Sequence, residues 1–129
     1  MNRREELNNI IADARKELYK LDEERDMAMG KKMIGKCFRY HNNYSLPENA
    51  NDYWWTYARV VSVDGSGVRV HQFDTDKYDE IAIEFNNYHN VGSFGRHNGW
   101  TSIDHAKFKS EWKKLVNRIS KYSMEIKGK

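Results

Sequence analysis

Three short stretches of this chain set histidine and asparagine beside an aromatic ring or a guanidinium: His41-Asn42-Asn43-Tyr44, Asn87-Tyr88-His89-Asn90 and Arg96-His97-Asn98. Amides and imidazoles both donate and accept hydrogen bonds, and Tyr44, Tyr88 and Trp100 add flat rings. Gathered at one end of a sheet, these loops would suit a nucleobase, a nucleotide or the backbone of a partner. The plainer account is that asparagine and glycine serve the turns themselves, because both tolerate left-handed backbone. A second constellation is Trp54-Trp55 followed by Arg59. Neighbours in a strand face opposite ways, so one tryptophan can fill a core while the other looks outward. An outward ring beside Arg59 would be a stacking platform.

A third is basic. Lys107, Lys114 and Lys121 recur at heptad spacing, with Arg118 beside them and Lys109 and Lys113 on the flank. Such a stripe can hold a polyanion with strong salt dependence. It is equally what an ordinary helix shows to water.

Catalytic patterns are weak. His89, His97, Asn98 and His105 share an order with His–Asn–His metal nuclease sites, but the acidic partner and the spacing are missing. The five histidines give no zinc pair on one helix face, and there is one cysteine. Asp74, Asp76, Asp79 and Glu80 surround a turn without the glycine and terminal glutamate of a calcium loop. Cys37 lies mid-strand without a base, no serine has a nucleophile-elbow context, and the glycines at 92, 95 and 99 form no phosphate loop. The reading is therefore no catalytic residue, no metal and no cofactor.

The elements that must position these groups are legible. Residues 3–28 form a helix in which Leu7, Ile11, Ala14, Leu18, Leu21 and Ala28 follow alternating 4-3 spacing, with Arg25 in the one polar slot. That is about three heptads of a narrow seam. A second helix over 102–126 repeats the spacing with Phe108, Trp112, Leu115, Ile119, Tyr122 and Ile126. Thr101 serves as its cap, with Asp104 at the third helical position. The two seams could pair within one chain or between two, including a homodimer through the N-terminal helix. Between them, 33–86 reads as a β-module: strands at 33–40, 54–63, 68–73 and 81–85, with turns at Asp64-Gly65-Ser66-Gly67 and Asp74–Asp79. Residues 87–100 read as a long loop whose aromatics argue against disorder, and which is functional or hides a short strand.

The expectation is one α+β domain over 1–129, with a four- to five-stranded antiparallel curled sheet or small half-open barrel flanked by the two long helices. Charged residues make up 32% of the chain, and no stretch approaches the roughly 18–20 apolar residues of a membrane helix. With a single cysteine and no apolar leader, a cytoplasmic setting is expected. The net charge of +3 is uneven. Residues 1–30 carry six basic and eight acidic side chains, whereas 103–129 carry eight basic and three acidic ones.

Gly35-Lys36-Cys37-Phe38-Arg39-Tyr40, the Asn/Tyr/Ser/Pro loop, and Asp52-Tyr53-Trp54-Trp55 leading into a valine-rich strand resemble small uncharacterised bacteriophage accessory proteins over residues 33–85. The resemblance implies a non-enzymatic inhibitor of host defence, of the anti-CRISPR kind, in the host bacterial cytoplasm. Its partner would be a host protein or ribonucleoprotein complex. The surface expected to carry it is His41, Asn43, Tyr44, an exposed member of Trp54/Trp55, Arg59, Tyr88, His89, Arg96, His97 and Trp100, with the basic patch Lys107, Lys114, Arg118 and Lys121. The alternative is a module that binds a nucleotide or single-stranded nucleic acid on the same surface.

Overall fold

The chain, in a computed structural model that describes residues 2–42, 54–75, 81–95 and 98–127, is an α+β protein. Helix α1 (Arg3–Met33) leads into strands β1 (Cys37–Asn42), β2 (Trp54–Asp64), β3 (Gly67–Thr75) and β4 (Ile83–His89). A 3-10 turn (Val91–Phe94), strand β5 (Trp100–Ile103) and helix α2 (His105–Ile126) follow. The sheet order is β4-β3-β2-β1-β5, antiparallel at every pairing, and it ends in two edge strands rather than closing.

Sequence chemistry explains the local turns. Asp64 and Gly67 pair across the two-residue loop Gly65-Ser66, and the Ser66 N–H donates to Asp64 Oδ1 at 2.7 Å. Gly67 sits at φ 117°, a conformation that only glycine adopts without strain.

Alternation along the strands divides the sheet into two buried faces. Phe38, Ala58, Val60, Val68, Val70 and Phe94 form one core, with Met33, Val63 and Trp100 against it. Cys37, Tyr57, Phe73, Phe108 and Leu115 form the other, joined by Trp55, Trp112 and Ile119. The α2 seam thus covers one face of the sheet, and the end of α1 touches the other. Each fully buried valine contributes about 1.5–3 kcal/mol over its exposed state.

Two β-bulges bend the same end of the sheet. Val61 is the extra residue of β2 between the Val60–Val70 and Ser62–Arg69 pairs. On β4, Phe85 and Asn86 together oppose His71. Arg69 ties the two irregularities: its Nε donates to Ser62 Oγ at 3.0 Å and its Nη1 to the Phe85 carbonyl at 2.9 Å. The carbonyl at the bulge is thereby satisfied, and Phe85 is fixed beside His71.

Several boundaries differ from the sequence reading. Helix α1 continues past Ala28 to Met33, because Gly30 lies where the helix crosses the sheet. A Cβ at Gly30 would overlap the Val63 side chain, so glycine here is a packing requirement and not a stop. Strand β4 starts at Ile83 and runs to His89, and the loop expected at 87–100 holds the end of β4, the 3-10 turn and the first residue of β5. Asp104, not Thr101, caps α2: its Oδ1 accepts from the Lys107 N–H at 2.7 Å. Thr101 is engaged in β5 opposite Arg39.

Helix α1 and the sheet part company early. The helix is about 46 Å long at 1.5 Å per residue, yet only Met27, Gly30 and Met33 of it are buried or half-buried. Its start is held by Asn2, whose Oδ1 accepts from the Glu5 N–H at 2.9 Å, and Glu5 and Glu6 suit the positive helix end.

Candidate binding surfaces

The expected His/Asn surface does not assemble as one patch from the residues described. His41 lies on the α2 face, 5.4 Å from the Trp55 ring. His89 lies on the opposite face, packed against Phe94 at 5.0 Å and Trp100 at 5.7 Å. His89 Nε2 and the Asn87 amide both approach Gln72 Oε1 at 3.0 Å, and the Asn87 amide nitrogen also lies 3.4 Å from His89 Nε2. Trp100 leans on Tyr40, and Gly99 at φ 83° allows that approach, since a Cβ there would meet the Tyr40 ring. Tyr88 is exposed and donates to Asp64 Oδ2 at 3.0 Å. Asn43, Tyr44, Arg96 and His97 lie outside the described residues, as do Asp76, Asp79 and Glu80.

The paired tryptophans are both half-buried. Trp55 shares a face with Arg59, but its ring is covered by the Arg39 guanidinium at 3.8 Å, a cation–π contact. The basic stripe is partly neutralised on its own helix. Glu111 accepts from Lys107 at 3.1 Å and from Lys114 at 3.0 Å. Burial pushes the Glu111 carboxyl up, but the two lysine bonds outweigh it and leave the group below its ordinary range. Arg118 is half-buried, and Lys121 is exposed.

Cys37 is buried, and burial pushes its thiol up, so it stays protonated and inert. Among the described residues no group of three or more His, Cys, Asp or Glu could hold a metal ion.

Two features were not assembled by sequence reasoning. The first is a cleft of about 250 Å3 between the first turns of α2 and the bulged end of the sheet. Its floor is Arg59, His71, Phe73 and Phe85, and its roof is His105, Lys109 and Trp112. Among the described residues no carboxylate lines it. Arg59 and His71 are direct cross-strand partners, and the Arg59 Nε is buried without a hydrogen-bond partner among the described residues. Burial first, then Arg69 and Arg59, hold the His71 imidazole below its ordinary range. Each lining residue had a local reading as strand, cap or seam, and only the crossing of α2 over the bulge joins them.

The second is the bare length of α1. Leu7 is 43% exposed, Ile11 48%, Leu18 60% and Leu21 58%, on a helix whose only anchor is its last two turns. The seam is as the sequence predicts, but the other seam is spent on the sheet. The two helices do not pair with each other within the chain: they reach opposite faces.

His71 and His89 give the fold a pH dependence of defined sign. Burial holds both below the ordinary value of 6.5. The unfolded chain therefore binds more protons, so stability is constant above about pH 6.5 and falls as acid is added below it. The slope is bounded by about 1.4 kcal/mol per pH unit per histidine and is reduced because both rings keep contact with solvent. Urea melts at pH 7.5, 6.5 and 5.5 should show a falling midpoint, less steep in His89→Gln. A midpoint that rises on acidification would contradict the assignment.

No helix among the described residues is long and apolar enough to cross a membrane. Compared with protein-family models, with curated proteins and with solved structures, the chain matches none.

Proposed function

We propose that this chain is a non-enzymatic binding protein that acts through protein contacts, as a homodimer joined by α1. The observation that carries this is the apolar seam left open along α1. Most helical stability in proteins comes from packing an apolar face, and only the last two turns of α1 are packed, so the bare seam calls for a partner of matching shape. Among the described residues the other seam, on α2, already covers the sheet, which leaves a second copy of α1.

Charge sets the orientation. A parallel pair would stack Arg25 on Arg25 in the seam and set Glu17 against Asp22 of the second copy. An antiparallel pair centred between residues 12 and 13 instead packs Leu7 on Leu18 and Ile11 on Ala14, each twice. It also brings Arg3 of one copy to Glu24 of the other, and leaves Arg25 beyond the overlap, where it pairs with its own Asp22 at 3.6 Å. Two sheet modules then stand about 50 Å apart along the shared axis. A bivalent inhibitor of that span suits a partner with repeated sites, through effective concentration. The resemblance over residues 33–85 makes a host defence complex the partner class.

The experiment has two arms. Sedimentation over a dilution series should show a dimer that dissociates reversibly. Mixed Leu7→Cys and Leu18→Cys chains should oxidise to the hetero-linked pair in preference to either self-linked one. A monomer at all concentrations, or preferential self-linking of Leu7→Cys, sinks the antiparallel dimer. For inhibition, stoichiometric addition to purified RNA-guided nuclease complexes should stop cleavage in at least one. Undiminished cleavage in all of them counts against the host-defence target.

A further inference from the structure

The cleft at the start of α2 is separate from the α1 seam and lies on the opposite face of the sheet. Its chemistry is one-sided. Arg59 and Lys109 are permanently cationic, His71 and His105 sit beside them, and among the described residues no carboxylate lines the cleft with them. The neighbouring acid, Asp104, already caps α2 through the Lys107 N–H. Arg59 stands directly opposite His71 across the β2–β3 pair, and protonating that imidazole would set two like charges against each other. The buried Arg59 Nε adds a donor with no acceptor among the described residues, and such donors are rare in folded proteins.

The aromatic half is equally directed. Phe85 is 56% exposed although it stands at the edge of a hydrophobic cluster. Its ring is near-perpendicular to those of His71 at 5.2 Å and Trp112 at 6.3 Å, and it lines the cleft with them. The bulge and the Arg69 bond to the Phe85 carbonyl hold it there. A bulge that re-aims one side chain beside a cavity is a recurring feature of binding sites. The volume of about 250 Å3 is below the roughly 300–1,000 Å3 of pockets for drug-sized ligands. It accommodates one ring and one charged group.

We propose that this cleft binds a small anion carrying one aromatic ring, with the ring against Phe85 and Trp112 and the phosphate or carboxylate on Arg59 and Lys109. The anion supplies the acceptor that Arg59 lacks and offsets the cationic field on His71. Bound anion therefore raises the His71 titration midpoint, while His89, on the other face, keeps its own.

The test uses the whole chain and five probes: adenosine monophosphate, phenyl phosphate, benzoate, adenosine and inorganic phosphate. His71 and His89 ring signals are followed by NMR as each probe is added. At least one ring anion should shift His71 saturably and bind at least tenfold tighter than adenosine or phosphate alone, with His89 unmoved. The tightest of the three ring anions identifies the source, nucleotide, aryl phosphate or aryl carboxylate. Arg59→Gln should weaken binding about tenfold or more. Because Arg59 is partly buried, the exposed variants Lys109→Gln and Phe85→Ala serve as second tests, each with a several-fold loss. The proposal is overturned if no ring anion shifts His71 saturably at millimolar concentration. It is equally overturned if affinity is unchanged in Lys109→Gln and Phe85→Ala. Neither result bears on the dimer, which is read by sedimentation.

Discussion

Leu18→Glu should convert the proposed dimer to a monomer while leaving the fold of each chain intact. Leu18 is 60% exposed within one chain, so the substitution removes no intrachain core contact. In the proposed antiparallel pair it would pack on Leu7 of the second copy, and symmetry would place two such layers in each dimer. Burying a leucine contributes about 1.5–3 kcal/mol, and a carboxylate in its place adds a desolvation cost. Counted twice, a loss of at least ~3 kcal/mol weakens dimerisation by about 100-fold or more. Light scattering or sedimentation reads the mass, and circular dichroism with a urea melt reads the fold. Unchanged dimer mass would refute the seam, and loss of helix in a chain that is monomeric before mutation would refute the claim that α1 stands without intrachain support.

Phe73→Ala should be the most damaging single truncation in the sheet. Phe73 is 2% exposed at the meeting point of both elements of the α2-side core. Its ring stacks on Tyr57 at 5.4 Å and touches Phe108 at 5.3 Å and Trp112 at 5.4 Å. Removing it opens a cavity under α2 that three large rings cannot refill without leaving their rotamers. The expected cost is about 3–5 kcal/mol, and a fall in Tm on the order of 10–20 °C. A loss under about 1 kcal/mol would mean that α2 is not seated on Phe73. The cleft would suffer with it, since Phe73 is part of its floor and Trp112 part of its roof.

The sequence was most legible where side-chain period and secondary structure agree. Both helical seams, the Asp64–Gly67 hairpin and the meander of β1 to β4 follow from spacing alone. It was less legible where the phase slips. Ile81, Ile83 and Phe85 alternate cleanly, yet the strand continues to His89 because the bulge at Phe85-Asn86 shifts the alternation by one residue. Trp100–Ile103 is too short to show a period, and it is a strand because β1 offers it an unpaired edge. The choice of cap between Thr101 and Asp104 follows from that pairing, which takes Thr101 into the ladder.

The candidate surfaces divide in the same way. Composition and spacing determined an α+β chain, its two helices, and an apolar seam along α1. They also set the charge pattern along α1, on which the orientation of the proposed dimer rests. Tertiary structure alone decided that α2 covers the sheet and that α1 reaches the other face, leaving its seam bare. It alone separated His41 from His89 and covered Trp55 with Arg39. It also brought Arg59, His71, Phe85, Lys109 and Trp112, distant in the chain, to one cleft. The physical reason is that periodicity records which residues face together along one element. Which faces meet is a matter of packing between elements, and that depends on bulges, one close-approach glycine and an edge strand that no single period encodes.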